Sequence, residues 1–104
     1  MRSLLLLTTV LALTSQGALA DERQAERQTA LLASSCANCH GTDGRGTMTL
    51  AAIAGRPASI LESQLLAFKH DESAGATVMD RIAQGYSDDE LKALADYFAN
   101  QPEL

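Results

Sequence analysis

Two thiols and an imidazole lie within five consecutive residues of this chain. Cys36 and Cys39 are separated by two residues, and His40 follows directly. The sequence contains no other cysteine. Such a group could act as a redox dithiol, close a disulfide, or supply three ligands to a zinc ion. It could also attach a porphyrin through both thiols while the imidazole binds the iron.

The haem interpretation accounts for all three residues, whereas each alternative leaves something unexplained. A thioredoxin-like dithiol belongs in a βαβ unit, and the sequence shows no alternation typical of strands. A disulfide between Cys36 and Cys39 would close a very small loop and stabilise little. A structural zinc site needs four ligands, and only His70 could join the motif. The C-x-x-C-H pattern therefore predicts one covalently attached c-type haem, held by both cysteines, with His40 as the proximal iron ligand.

The second axial ligand has three candidates: Met48, Met79 and His70. A thioether raises the potential of haem iron relative to a second imidazole. Met48 is only eight residues beyond His40, which is a short path to the opposite face of a haem. Met79 lies in a separate segment between two loops. The residues alone therefore favour Met79 and leave open Met48, His70 and a vacant iron position.

The first residues of the chain predict export. Arg2 gives a short positive start, an almost entirely apolar run follows, and Ala18 and Ala20 form an A-x-A cleavage pattern. We predict a cleaved signal peptide over residues 1–20 and a monohaem domain over residues 21–104. The competing interpretation, an uncleaved membrane anchor, requires a longer apolar stretch. The mature chain is thus expected in the periplasm, with no membrane span.

The mature domain is small and acidic. The formal net charge of the sequence is −5, and loss of Arg2 makes it one unit more negative. An acidic surface argues against nucleic acid and anionic membranes as partners, and suits a protein partner with a basic patch. The chain holds two Tyr, two Phe and no Trp. A buried porphyrin would therefore supply apolar mass that so small a core lacks.

Helical periodicity predicts an all-α domain around the motif. The first helix should cover residues 21–37 and bring the cysteines to the haem. Its apolar side is formed by Ala25, Leu31, Leu32 and Ala33. A second helix should begin near Pro57 and end near Lys69 and His70. The apolar face of this second helix combines Ile60, Leu61, Leu65 and Phe68.

The two remaining helical segments carry Met79 and the clearest periodicity. Residues 77–85 predict a short helical turn that ends at Gly85. Ser87 and Glu90 form a capping box at the start of the last helix. The apolar residues of the last helix recur at i, i+3, i+4 and i+7, namely Leu91, Leu94, Ala95 and Phe98.

The order of these parts resembles a class I c-type cytochrome over essentially the whole mature chain. Three stretches carry the resemblance: CANCHGTDGR, then IAGRP with QLLAFK, and finally ATVMDRIAQGYSDDEL running into LADYFA. The third stretch is similar to the cytochrome subunit of flavocytochrome c sulfide dehydrogenases and to short soluble bacterial monohaem cytochromes. The resemblance implies a cytochrome c-like fold of three to four helices wrapped around one covalently attached haem.

The resemblance also implies roles for individual residues. In that family the methionine of the T-V-M segment is the second axial ligand, which here is Met79. Contact between the first and last helices would fall around Leu32 and Tyr97–Phe98. Related chains often carry a proline two residues before the I/L-A-G triplet, where a carbonyl accepts the N–H of the ligand imidazole. Ala51 stands there in this chain, and a backbone carbonyl can still accept the bond.

The function implied by the resemblance is electron transfer rather than catalysis. With His40 and Met79 both bound, the iron has no free position for a substrate and only cycles between Fe(III) and Fe(II). The chain would then be the haem subunit of a sulfide-oxidising flavocytochrome c, partnered by an FAD-containing sulfide dehydrogenase subunit. The alternatives are a free soluble shuttle to an oxidase, a peroxidase or a photosynthetic reaction centre, and a haem sensor with an open iron position.

Overall fold

The computed structural model describes the backbone of residues 2–102 and the side chains of residues 16–102. Within that part of the chain every regular element is helical, so the predicted all-α class is confirmed. A 3₁₀ turn covers Thr42–Gly44. Residues 2–102 contain five α-helices: α1 (Arg2–Ser34), α2 (Ala37–His40), α3 (Ala58–Lys69), α4 (Met79–Ala83) and α5 (Asp88–Ala99).

Helix α1 begins before the first helix that the sequence predicts. Its 33 residues run without a break through the boundary between residues 20 and 21, where we expect cleavage. Ala33 is buried and Leu32 is half-buried against the core. Leu31 is 74% exposed and Ala25 is also exposed, so the apolar side is narrower than predicted. Among the described helices, none combines the length and the apolarity that crossing a membrane requires.

Two serine side chains mark the end of α1, three residues before the predicted boundary at residue 37. Ser34 Oγ donates to the carbonyl oxygen of Leu31 at 2.6 Å, and Ser35 Oγ donates to that of Leu32 at 2.9 Å. The Cys36 N–H then donates to the carbonyl oxygen of Ala33, three residues back rather than four, at 3.1 Å, so the chain leaves the helix in a tighter turn. The cysteine motif therefore occupies a corner between α1 and α2 rather than the end of one long helix.

Helices α3 and α4 lie where the sequence predicts them. Helix α3 ends at Lys69, and His70 is its C-cap residue. Leu61 is its buried residue, whereas Ile60 is half exposed, so the packed face of α3 is also narrower than predicted. Helix α4 falls within the predicted segment 77–85 and packs against α3.

Helix α5 forms the centre of the core. Ser87 Oγ accepts the Glu90 N–H at 3.1 Å, and a Glu90 carboxylate oxygen accepts the Ser87 N–H at 2.9 Å, which confirms the capping box. All four predicted apolar positions of α5 are buried: Leu91, Leu94, Ala95 and Phe98. They form one cluster with Ala33 of α1 and Leu61 of α3. Helix α5 therefore joins α1 and α3 into a single core.

Candidate haem site

Helix α2 is built from the motif itself. Cys36 is its N-cap residue, and Ala37–His40 form its single turn. The His40 N–H donates to the Cys36 carbonyl at 2.9 Å, which closes that turn. Residues three apart in a helical turn lie on the same side of it, so the two sulfur atoms project from one side of the corner. Cys36 and Cys39 are both free thiols, as two thioether bonds to a porphyrin require.

The two thiols differ in environment. Cys36 is half-buried and Cys39 is exposed. Burial raises the pKa of the Cys36 thiol, and this outweighs the lowering effect of hydrogen bonds from Ser35 and from the Cys36 backbone. Cys36 is therefore a neutral thiol near pH 7. Redox dithiols depend on a thiolate with a lowered pKa, so this environment argues against the dithiol interpretation.

The His40 ring is half-buried and neutral. Burial lowers its pKa, and the charge of Arg56 lowers the pKa further. A neutral imidazole is the form that binds a metal. The Nδ1 atom of His40 is buried and has no hydrogen-bond partner among the residues that the structure describes. The carbonyl acceptor that the resemblance suggested near Ala51 therefore does not bond to this nitrogen in the structure.

The loop after His40 folds tightly onto the motif. The Gly46 N–H donates to the His40 carbonyl oxygen at 2.7 Å. Gly41 has a φ of +80°, and a Cβ atom there would lie 2.2 Å from the Gly46 carbonyl oxygen. A residue with a side chain cannot occupy this position without moving the loop. The backbone of His40 is therefore fixed to the start of the next turn.

The candidates for the second ligand lie on different elements. Met79 is the first residue of α4 and is partly buried. Met48 is fully exposed in the loop after His40. His70 caps α3, and its Nε2 atom lies 3.8 Å from Oδ1 of Asp88. Helix α4 packs against α3, whereas α2 packs against α1 and the 3₁₀ turn, so different parts of the fold hold Met79 and the motif.

Apolar side chains next to the candidate ligands fit a large apolar cofactor. Val78 and Ile82 flank Met79 in sequence and are 54% and 39% exposed. Leu50, in the loop after the motif, is also exposed. A porphyrin covering such side chains would remove their surface from water. Together with the neutral imidazole and the two free thiols, these residues fit a covalently attached haem.

Two hydrogen bonds next to the motif join residues far apart in the sequence, and the sequence did not predict them. The Tyr97 hydroxyl donates to Oδ1 of Asp43 at 3.0 Å. The Tyr86 hydroxyl lies 3.2 Å from Ser35 Oγ, in hydrogen-bond contact. Local patterns carry no information on such pairs, although Asp43 and Ser35 both stand within three residues of the motif.

An all-α fold that places a C-x-x-C-H corner beside its core defines a c-type haem protein. The family model for cytochrome c matches residues 25–102, a range that includes both the motif and Met79. The chain belongs to the cytochrome c family, which confirms the predicted resemblance. Family membership indicates a covalently bound c-type haem and haem-mediated electron transfer.

Several curated cytochromes are similar to this chain. The cytochrome subunit of sulfide dehydrogenase from Chlorobaculum tepidum is 41% identical over 70 residues, which cover 67% of this chain and 63% of that protein. Cytochrome c-554(548) of Halomonas halodenitrificans is 36% identical over 69 residues, covering 64% of this chain and 83% of that protein. The thiosulfate dehydrogenase electron acceptor of Stutzerimonas stutzeri is 38% identical over 68 residues, which cover 62% of this chain and 32% of that protein. The chain thus spans just under two thirds of the Chlorobaculum protein.

Proposed function

We propose that the chain is an exported electron carrier in which Cys36 and Cys39 hold the haem and His40 and Met79 bind its iron. The observation that carries this proposal is the C-x-x-C-H corner between α1 and α2. When bound, the haem supplies one-electron Fe(III)/Fe(II) chemistry. The residues of the chain attach the cofactor, exclude water from it and tune its potential through ligation, burial and hydrogen bonds.

The position of each methionine supports Met79 as the second ligand. Met48 is fully exposed, and the loop that carries it is bonded to the His40 carbonyl through Gly46. That bond keeps the loop, and Met48 with it, close to the backbone of His40. The two residues from Gly46 to Met48 are a short stretch of chain with which to reach the side of the haem opposite His40. Met79 is partly buried on α4, which is held against α3. It can therefore approach the iron from a different part of the fold.

His70 lies at the junction of α3 and α5. Its Nε2 atom faces Oδ1 of Asp88 at 3.8 Å. The same oxygen accepts a hydrogen bond from Lys69 Nζ at 2.6 Å. The bond between Lys69 and Asp88 ties the end of α3 to the start of α5. The place of His70 on the exposed surface beside that junction favours Met79 over His70 as the ligand.

Substitution of the two methionines tests the ligand assignment. Met79→Ala should abolish the weak Met–Fe(III) absorbance band at the red edge of the visible spectrum and open the iron to added cyanide. Met79→His should keep six-coordinate iron and lower the reduction potential, because a thioether favours Fe(II) more than an imidazole does. Met48→Ala is the matched control and should change neither property. Loss of the band in Met48→Ala, with its retention in Met79→Ala, would show that Met48 is the ligand.

Export to the periplasm forms part of the same proposal. Residues 1–20 carry the charge, apolar run and cleavage pattern of a signal peptide. Bacterial c-type cytochromes are typically exported. Cleavage would leave a chain that begins at Asp21, at a point within the continuous helix α1.

The proposed partner is an FAD-containing sulfide dehydrogenase subunit. Two relatives motivate it, one named a cytochrome subunit of sulfide dehydrogenase and the other a thiosulfate dehydrogenase electron acceptor. Both names describe electron transfer linked to inorganic sulfur compounds. Haem protein purified from the periplasm of its host should elute together with a flavin-containing subunit, detected by flavin fluorescence. Sulfide should then reduce the haem in this complex.

A free soluble shuttle is the second candidate. It is supported by the match to 83% of cytochrome c-554(548), whose name denotes a cytochrome rather than a subunit. Elution as a single haem protein without flavin would favour the shuttle over the sulfide dehydrogenase subunit. A haem sensor would differ from both, because an open iron position would bind carbon monoxide in the unsubstituted protein and would show no Met–Fe(III) band.

A further inference from the structure

Both tyrosines of the chain bond to residues that flank the haem-attachment motif. The Tyr97 hydroxyl donates to Oδ1 of Asp43, three residues after the motif, at 3.0 Å. The Tyr86 hydroxyl lies 3.2 Å from the Oγ atom of Ser35, one residue before the motif. The chain contains two tyrosines in total. Its phenol groups are therefore concentrated at the two ends of the haem-binding segment.

The bond between Tyr97 and Asp43 is the more restrictive of the two. It is partly buried, whereas the contact between Tyr86 and Ser35 is exposed. Asp43 has a φ of 52°, in the left-handed region that few residues other than glycine adopt. Burial raises the pKa of Tyr97, and the bond to Asp43 raises it further. The phenol is therefore a hydrogen-bond donor at neutral pH.

The loop that contains Asp43 continues directly from His40. Gly46 N–H donates to the His40 carbonyl at 2.7 Å, so the two ends of the loop are joined. Gly44 O accepts the N–H groups of Ile53 and Ala54 at 2.8 and 3.0 Å. The loop is thus held together by its own hydrogen bonds, so a displacement of Asp43 should also move the backbone of His40.

Nδ1 of His40 is buried and makes no hydrogen bond to the described side chains or backbone. In metal sites the second nitrogen of a ligating histidine usually donates to a carbonyl or carboxylate, which orients the ring. The backbone of residue 40 also limits where the ring can lie, and that backbone is bonded to the loop through Gly46. We propose that Tyr97 is a positioning residue for His40, because it holds Asp43, and with it the loop of residues 40–46, against α5. This inference rests on the proposed role of His40 as the proximal ligand.

Removal of the Tyr97 hydroxyl tests the inference. Tyr97→Phe keeps the ring in the core and deletes only the donor. We expect the order and the spread of the four haem methyl resonances in the proton NMR spectrum of the ferric protein to change, because these shifts follow the plane of the axial imidazole. The reduction potential should also fall, because the Asp43 carboxylate would lose the donor that offsets its negative charge. Tyr86→Phe is the matched control and should leave the methyl pattern and the potential unchanged.

Two substitutions of Asp43 complete the test. Asp43→Gly removes the acceptor without backbone strain, and should reproduce the methyl pattern of Tyr97→Phe. Asp43→Asn keeps an acceptor oxygen and tolerates the left-handed backbone, and should retain the parent pattern. If Tyr97→Phe retains the parent pattern, whether or not its thermal midpoint falls, the bond is purely structural and the inference is wrong. Failure of the proposed ligation is separately visible, since the parent spectrum would then survive His40→Ala.

Discussion

Replacement of Gly44 by alanine should destabilise the loop that follows His40 in two ways, through backbone strain and through steric overlap. Gly44 has a φ of +73°, and an added Cβ would lie 2.7 Å from both Ile53 Cγ1 and Phe98 Cδ1. Phe98 is only 4% exposed, so its ring cannot move aside without disturbing α5. Gly75 is the matched control, because it has a φ of +83° and no atom of the described residues lies within 4 Å of an added Cβ.

The structure allows the size of each effect to be estimated. A residue with a side chain at positive φ costs roughly 1–2 kcal/mol, of which about 0.4–1 kcal/mol is recovered because alanine restricts the unfolded chain. Gly75→Ala should therefore lower the free energy of unfolding by about 1 kcal/mol. Gly44→Ala adds overpacking of about 1–3 kcal/mol, for a total of roughly 2–4 kcal/mol. Since about 1 kcal/mol shifts the midpoint of a small domain by about 4–8 °C, the two variants should differ by at least about 4 °C.

Thermal unfolding of the haem-loaded variants, followed by far-UV circular dichroism, measures this difference. The haem methyl resonances provide a second measurement. Gly44 lies in the loop that continues from His40, so Gly44→Ala should shift these resonances and Gly75→Ala should not. Equal midpoints for the two variants would refute the reasoning, because they would show that Ile53 and Phe98 make room for a methyl group at no cost.

Two further outcomes are expected. Lys69→Met should lower stability at neutral pH but not in strong acid. The hydrogen bond from Lys69 lowers the pKa of Asp88 from its usual value, and stability from a carboxyl with a depressed pKa is lost as the pH falls through that pKa. Urea titrations at decreasing pH should show the difference from the parent protein shrink as the pH falls below about 4 and vanish in strong acid. A difference that persists in strong acid would contradict this origin. The intact mass of the exported protein should correspond to a chain that begins at Asp21 and carries one haem, whereas a mass that includes residues 1–20 would show that the leader is retained.

Local patterns were enough to predict the haem-attachment motif and most of the helices. The spacing of Cys36, Cys39 and His40 lies within one helical turn, so no distant residue is needed to recognise it. The capping box of α5 depends on Ser87 and Glu90, which are three residues apart. The buried positions of α5 also followed from periodicity, because this helix lies at the centre of the core and its whole apolar stripe is covered. The assignment of Met79 to the iron stays a prediction.

The tertiary structure decided which residues meet across the fold. Leu31 and Ala33 are both apolar and two residues apart, yet only Ala33 is buried, because burial depends on where α5 crosses α1. Tyr97 and Asp43 are separated by 54 positions in sequence, and no periodicity links them. The sequence by itself determined which groups can attach a haem, since that chemistry needs only thiols and an imidazole at close spacing. How the imidazole is held depends on loop and helix packing, because a hydrogen bond between distant residues exists only once the chain has brought them together.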